Sequence, residues 1–161
     1  MLFRSDLIEA AAGQKDVDPL VFMALMRQES LYDPDAGSTA GAVGLTQIVP
    51  STGDEIAAEL GATGFTSADL FRPRTSVHFG VHFLKGQIAS FDGNLYQALA
   101  AYNGGPGAAA DALALAAAED IDLFVEDLEF DETRLYVRLV MEHYAQYRYL
   151  YAGVERPSLP E

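Results

Sequence analysis

Residues 18–30 run Asp18-Pro19-Leu20-Val21-Phe22-Met23-Ala24-Leu25-Met26-Arg27-Gln28-Glu29-Ser30. Asp18 can cap a helix, and Pro19 fits its first turn. Pro34 and Gly37 follow soon after, so the helix is expected to stop near Ser30, with Glu29 in its last turn. Met26, Leu25 and Phe22 precede Glu29 by three, four and seven positions and share its face. The segment is apolar almost all round, so that face is expected to be buried.

A carboxylate placed there is disfavoured twice, by desolvation among apolar neighbours and by the negative end of the helix dipole. Arg27 offers no relief, because it points about 160° away around the helix. The expectation is a carboxyl group with a raised pKa that can hold and deliver a proton near neutral pH, as a general acid must. A glutamate that simply turns to solvent at a helix end is the other reading. This segment alone leaves both open.

Working outward, the chain has 161 residues, no cysteine, 50% hydrophobic residues and a formal charge of −14. That length suits one domain with a real core, expected to cover residues 1–155, with 156–161 as a short Pro-containing tail. Without cysteine there are no disulfides, thiol nucleophiles or Cys-type metal sites. No charged-then-apolar leader opens the chain and no apolar run approaches membrane-spanning length, so a soluble domain without membrane insertion is expected. The acidity argues against nucleic acid and anionic membrane surfaces as partners. Any acidic polymer would have to be recognised at short range, by hydrogen bonds, stacking and shape.

Helical spacing and turn chemistry divide the rest of the chain. Ser5–Ala12 forms a helix ended by Gly13, and residues 31–43 form a loop rich in Asp-Pro and glycine turns. Residues 44–49 are a short apolar piece of undecided type. Pro50 to Leu60 is a helix, 61–72 a loop, and about Pro73 to Ser90 a long helix. A helix from Leu95 to Tyr102 is expected to stop at Asn103-Gly104-Gly105-Pro106, with an alanine-rich helix from Pro106 to Ala118. The acidic stretch from Glu119 to Glu132 holds one short helix, and the last helix runs from near Asp131 toward Tyr151. With no alternating strand pattern, the fold is all-α, a single domain of about seven helices.

Four stretches carry polar groups at helix ends or in glycine-rich loops: Glu29-Ser30, the loop from Ser38 through Ile48 that ends in Gly44-Leu45-Thr46-Gln47-Ile48, Ala101-Tyr102-Asn103-Gly104-Gly105 and Glu132-Thr133-Arg134-Leu135-Tyr136-Val137. Singly, each fits a surface amide, a helix cap or ordinary packing. Together and in this order they resemble the soluble lytic transglycosylase family, whose fold is of the goose-type lysozyme kind. The resemblance runs from about Ser5 to Tyr149.

The resemblance implies that Glu29 is the single catalytic acid/base. It implies that Ser38 is the loop serine near that carboxyl, Gln47 the groove amide, Tyr102 and Asn103 the pair close to the reacting sugar, and Tyr136 the last-helix tyrosine of the site. Thr46 departs from the family's usual methionine, a groove-lining residue, which bears on subsite packing rather than on the reaction. The substrate implied is peptidoglycan, cleaved between N-acetylmuramic acid and N-acetylglucosamine with a 1,6-anhydro product. An extracytoplasmic location and a longer parent with other domains follow as expectations. No cofactor and no metal are expected.

The chemistry agrees. Glycosidases commonly use two carboxyl groups, but only Glu29 has a clear reason for a raised pKa; Asp33 and Asp35 beside Pro34 fit turn residues. One carboxyl suffices if the substrate's own N-acetyl oxygen and C6 hydroxyl act as nucleophiles, since intramolecular attack has high effective molarity. A hydrolytic muramidase, favoured by a well-placed Asp33 or Asp35, and a catalytically weak wall-binding module of a larger assembly are the alternatives. His78 and His82 are four apart on a helix, but residue 79 is Phe, so a packed or solvated face is expected rather than a zinc site. The acidic run from Asp120 to Glu132 lacks calcium-loop spacing. The tyrosines from Tyr144 to Tyr151 fit either a contact surface or the closing edge of the core.

Overall fold

The computed structural model describes residues 5–115, 124–126 and 128–153. The helices are α1 (Ser5–Gln14), α2 (Pro19–Ser30), α3 (Pro50–Leu60), α4 (Pro73–Ser90), α5 (Leu95–Leu115) and α6 (Asp131–Tyr151), with a 3-10 turn at Ser67–Phe71. Phe124–Glu126 is also helical. Among the described residues the extended pairings are isolated, Gly37 with Val43 and Val43 with Ile48. The all-α expectation holds. The end of the alanine-rich helix, most of the acidic stretch and the 156–161 tail lie outside the described residues.

Local chemistry sets the helix limits. Asp18 caps α2 by accepting from the Leu20 amide at 2.8 Å, and Leu31 ends it in a left-handed conformation (φ 51°). Tyr32 also has positive φ (65°), an uncommon state for a bulky residue. The chain thereby reverses at once after Glu29 and Ser30. Gly61 closes α3 with φ 64°, the usual use of glycine after a helix.

One expectation needs correction. The 61–72 loop contains the 3-10 turn Ser67–Phe71, opened by a capping box in which Thr66 and Asp69 exchange backbone and side-chain bonds. The Thr66-x-x-Asp69 signature was present, but the turn is too short to show a helical apolar period. The expected break at Asn103-Gly104-Gly105-Pro106 is present: the run Leu95–Leu115, α5, is two helical segments joined across a kink at Gly105 (φ 66°, ψ −156°). Proline there falls at the first turn after the kink, where its missing N–H is harmless.

α2 and α6 pack antiparallel and form the centre of the domain, with α5 against α4 and α6. Tyr136, near the start of α6, bonds to Glu29 near the end of α2, while Tyr144 bonds to Asp18 at the start of α2 (2.7 Å). Tyr147 meets Tyr32 hydroxyl to hydroxyl at 2.7 Å, and Tyr32 also donates to the Met23 carbonyl. Tyr144 and Tyr147 thus close the core edge, while Tyr149 and Tyr151 stay exposed. Phe22, Leu25 and Met26 are fully buried, as the α2 pattern requires. α6 is further tied to the acidic segment by Arg138–Glu126 and, within its own first turn, by Arg134–Asp131.

The loop between α2 and α3 is tightly packed. Gly44 has φ 76°, and a Cβ there would run into the Leu70 carbonyl oxygen. Gly41 has a similar φ of 80° but open space around it. Gly44→Ala is therefore expected to destabilise the fold by about 2–4 kcal/mol, through backbone overlap added to the left-handed penalty. Gly41→Ala should lose only the conformational part, about 1 kcal/mol. Urea denaturation of the two variants beside the parent checks the difference.

Candidate active site

Glu29 reaches the site because α2 ends there. Its Oε1 accepts a hydrogen bond from the Tyr136 hydroxyl at 2.6 Å. The side chain keeps a little accessible surface, yet protein crowds it closely enough that desolvation dominates its protonation. Burial pushes its carboxyl up to about 7, against the opposing pull of the Tyr136 bond. The solvent-facing reading of Glu29 is excluded, and desolvation is the cause expected from the α2 pattern.

Two buried phenols stand beside that carboxyl. Burial raises Tyr136 and Tyr102 well above the ordinary tyrosine range, and the Glu29 charge adds to both shifts. Tyr136 and Tyr102 also influence each other, so the three groups form one electrostatic cluster drawn from α2, α5 and α6. Tyr102 donates to the Thr46 carbonyl at 2.9 Å, and its ring packs on Phe83 with centroids 4.9 Å apart.

The loop carrying Gln47 is held from three sides. Ser30 donates to the Leu45 carbonyl at 2.8 Å, Tyr102 to the Thr46 carbonyl, and the Thr46 amide to Ser76 Oγ at 3.2 Å. Gln47 has φ 47°, and its amide nitrogen donates to the Gly44 and Ala36 carbonyls at 2.8 and 3.2 Å. Both donors of that amide serve the loop. Ser38 is exposed and accepts the Ala42 amide at 3.0 Å, capping its own turn. Asn103 is half-buried and lines an open cavity of about 400 Å³ with Gly104 and residues 129–133.

The structure therefore gathers Glu29, Tyr102 and Tyr136 into one cluster, sets Gln47 in the adjoining loop, and puts Ser38 and Asn103 at the loop tip and in the neighbouring cavity. Thr46 stands where the family's usual methionine would line the groove. It is fully buried and packs against Gly80, where a Cβ would lie 2.6 Å from Thr46 Cγ2, so its side chain does not line a groove. Sequence reasoning also gave Ser30 no task and overlooked Ser76. Ser30 stands inside the quoted Glu-Ser pair, whereas nothing near Ser76 in the chain announces its partner thirty residues away.

Other candidate groups settle into structural tasks. Asp33 Oδ1 accepts the Asp35 amide at 2.9 Å, an Asx turn on an exposed loop. His82 pairs with Glu59 at 2.7 Å and lies 3.4 Å from Lys15 Nζ, joining α4 to α3 and to the end of α1. Burial lowers His78, with help from Arg74 and Lys15. Among the described residues no group of three or more metal-ligating side chains comes together, and no helix is long and apolar enough to cross a membrane.

An all-α domain with one raised carboxyl flanked by buried tyrosines defines a lysozyme-like class of fold and site. Known proteins narrow it. A family model for the transglycosylase SLT domain matches residues 6–125. The soluble lytic murein transglycosylase of Escherichia coli K12 is 34% identical over 157 residues, 96% of this chain and 24% of that protein. An inactive glutamate-to-glutamine mutant of the lytic transglycosylase Slt from Pseudomonas aeruginosa superposes with a TM-score of 0.83 at 28% identity, covering 95% of this chain and 25% of that one. The 70 kDa soluble lytic transglycosylase of E. coli gives 0.79 at 32% identity, covering 100% and 26%. The chain belongs to the SLT transglycosylase family. It spans about a quarter of the length of these relatives.

The raised carboxyl has a consequence for stability. The folded pKa of Glu29, about 7, lies above its ordinary 4.5, so the fold favours the protonated form. The stability this adds is complete below the unfolded value and is lost as pH rises through the folded one. Glu29→Gln keeps a neutral side chain at every pH. It should gain on the parent between about pH 4.5 and 7, by roughly 2–3 kcal/mol at pH 8. Denaturant midpoints for both proteins across pH 4–8 check this.

Proposed function

We propose that the chain is the catalytic domain of a peptidoglycan lytic transglycosylase. The observation that carries this is Glu29, a carboxyl held near 7 by burial and bonded to Tyr136, in a domain of the SLT family. A group poised there can both deliver and accept a proton at neutral pH. The Pseudomonas relative, inactive as a single glutamate-to-glutamine mutant, supports a chemistry that hinges on one such group.

In the proposed cycle, protonated Glu29 donates to the oxygen bridging N-acetylmuramic acid and N-acetylglucosamine as the bond from that oxygen to the muramic C1 breaks. The N-acetyl oxygen stabilises the developing cation at C1. The C6 hydroxyl then closes onto C1, and the Glu29 carboxylate takes its proton. Glu29 is again protonated, no water is consumed, and a 1,6-anhydro sugar leaves. Nucleophile and electrophile belong to one ring, so proximity replaces the second carboxyl that a hydrolase needs. Asp33, the nearest alternative along the chain, has one carboxylate oxygen on its own turn.

In this reading Tyr136 holds the carboxyl, Tyr102 and Gln47 orient the N-acetyl group and glycan, and Ser38 and Asn103 border the bound chain. The substrate implies work outside the cytoplasm, in periplasm, wall or medium. Relatives about four times as long fit a parent with further domains.

The test is a mass spectrum of muropeptides released from purified sacculi by the parent and by Glu29→Gln. The parent should release products one water lighter than hydrolytic ones, and the variant should fall by at least about 10²-fold. Full-mass reducing-end products would instead make the enzyme a muramidase. Retained binding to sacculi without release would make it a wall-binding module.

A further inference from the structure

We propose that the cavity between α5 and the start of α6 binds a primary ammonium group carried by the substrate, with Glu132 as its counter-ion and the ring of Phe130 as its apolar wall. The inference rests on reading peptidoglycan as the substrate. The amines of that polymer come from the diamino acid of its peptide or from glucosamine that has lost its acetyl group.

The cavity measures about 400 Å³ and is lined by Asn103 and Gly104 of α5 and by residues 129–133. Thr133 precedes Tyr136 by one turn, about 4.5 Å along α6, and the Tyr136 hydroxyl bonds to Glu29 at 2.6 Å. The cavity therefore opens a single helical turn from the phenol that holds the acid. Thr133 is only 3% exposed, and its side chain makes no hydrogen bond among the described residues. Its oxygen is not sealed off, since the sealed and unbonded side-chain atom among the described residues is His143 Nδ1. The Thr133 hydroxyl thus opens to the cavity it lines. Asn103 and Glu132 line the same cavity and likewise make no side-chain bond among the described residues. A buried polar group without a partner is costly, and these three converge where an entering group would satisfy them.

Phe130 adds an observation of another kind. It is the N-cap of α6, makes no capping bond and is 49% exposed. A short polar side chain there would stabilise the helix, and a ring left in water gives the core nothing. At the edge of a binding cavity both features serve, because an aromatic face attracts a cation. Charge then selects the ligand. No lysine, arginine or histidine lines the cavity, and Arg134 is occupied by Asp131. The first-turn amides of α6 contribute about half a positive charge, which the unpaired Glu132 alone outweighs. An ammonium brings three donors and no acceptor, matching the Glu132 carboxylate, the Thr133 hydroxyl and the Asn103 carbonyl. A carboxylate or phosphate would be repelled.

The test measures binding rather than turnover. The probe is the soluble muropeptide mixture from a muramidase digest of sacculi, untreated or with its amines blocked by acetic anhydride. Each is titrated calorimetrically into Glu29→Gln of the full chain. Untreated fragments should bind about fivefold more tightly than blocked ones, the worth of one partly exposed charge pair. Adding Glu132→Gln should abolish that preference, with its melting temperature showing that the variant is folded. Phe130→Leu should weaken the preference, and Phe130→Tyr, which keeps the aromatic face, should retain it. From a partly blocked mixture, mass spectra of fragments held by the immobilised chain locate the selected amine on peptide or on sugar. Equal affinity for both probes overturns the inference, as does a preference that survives Glu132→Gln. Binding of neither probe overturns it together with the proposed function, whereas an intact preference without glycan release strikes the activity alone.

Discussion

The hydrogen bond from Tyr136 to Glu29 joins the end of one helix to the start of another, and much of the domain exists to keep those two ends together. A carboxyl in that position is unfavourable as an anion, because burial removes its water. The antiparallel packing of α2 on α6 supplies the burial, and the same packing brings the phenol that limits its cost. Asp18 with Tyr144 at the other end, and Tyr32 with Tyr147 at the flank, stop the pair from sliding. A one-turn slip would move Tyr136 about 5 Å along the helix axis, well outside hydrogen-bond reach. Register between two helices is therefore a condition of the site's protonation state.

Around that bond the site is assembled from backbone as much as from side chains. The carbonyls of Leu45 and Thr46 receive the hydroxyls of Ser30 and Tyr102, so the Gly44–Gln47 turn is a junction of α2, α4 and α5. Close approach makes this possible. Gly44 lies against the Leu70 carbonyl and Gly80 against Thr46, places where a side chain would push the turn away. The positive φ values at Leu31, Tyr32 and Gln47 lie beside the same junction, and local strain of this kind persists only where surrounding contacts hold it.

Much of the fold was legible in the chain. α2, α3, α4 and the last helix follow from caps, prolines at first turns and apolar periodicity, which are local signals. What was missed lacked such a signal. The 3-10 turn at Ser67–Phe71 is shorter than any period, whereas the glycines at 104 and 105 did mark the break between two helical segments. Of the site, α2 gave the reason for a raised carboxyl at Glu29, through neighbours three to seven residues away, but left a solvent-facing glutamate open until the four ordered motifs were read together. Ser76 was not legible, because its partner is remote in sequence.

The amino-acid sequence by itself determined the helical class, the position of Glu29 at the end of a buried helix, and the order of the four motifs that mark the family, since each rests on spacing along the chain. Only the tertiary structure decided which hydroxyl meets the carboxyl, that Gln47 turns both its donors inward, that Asp33 serves its own turn, and that Thr46 faces α4. Those outcomes depend on distances between segments far apart in sequence, set by helix packing and register, and periodicity carries no record of them.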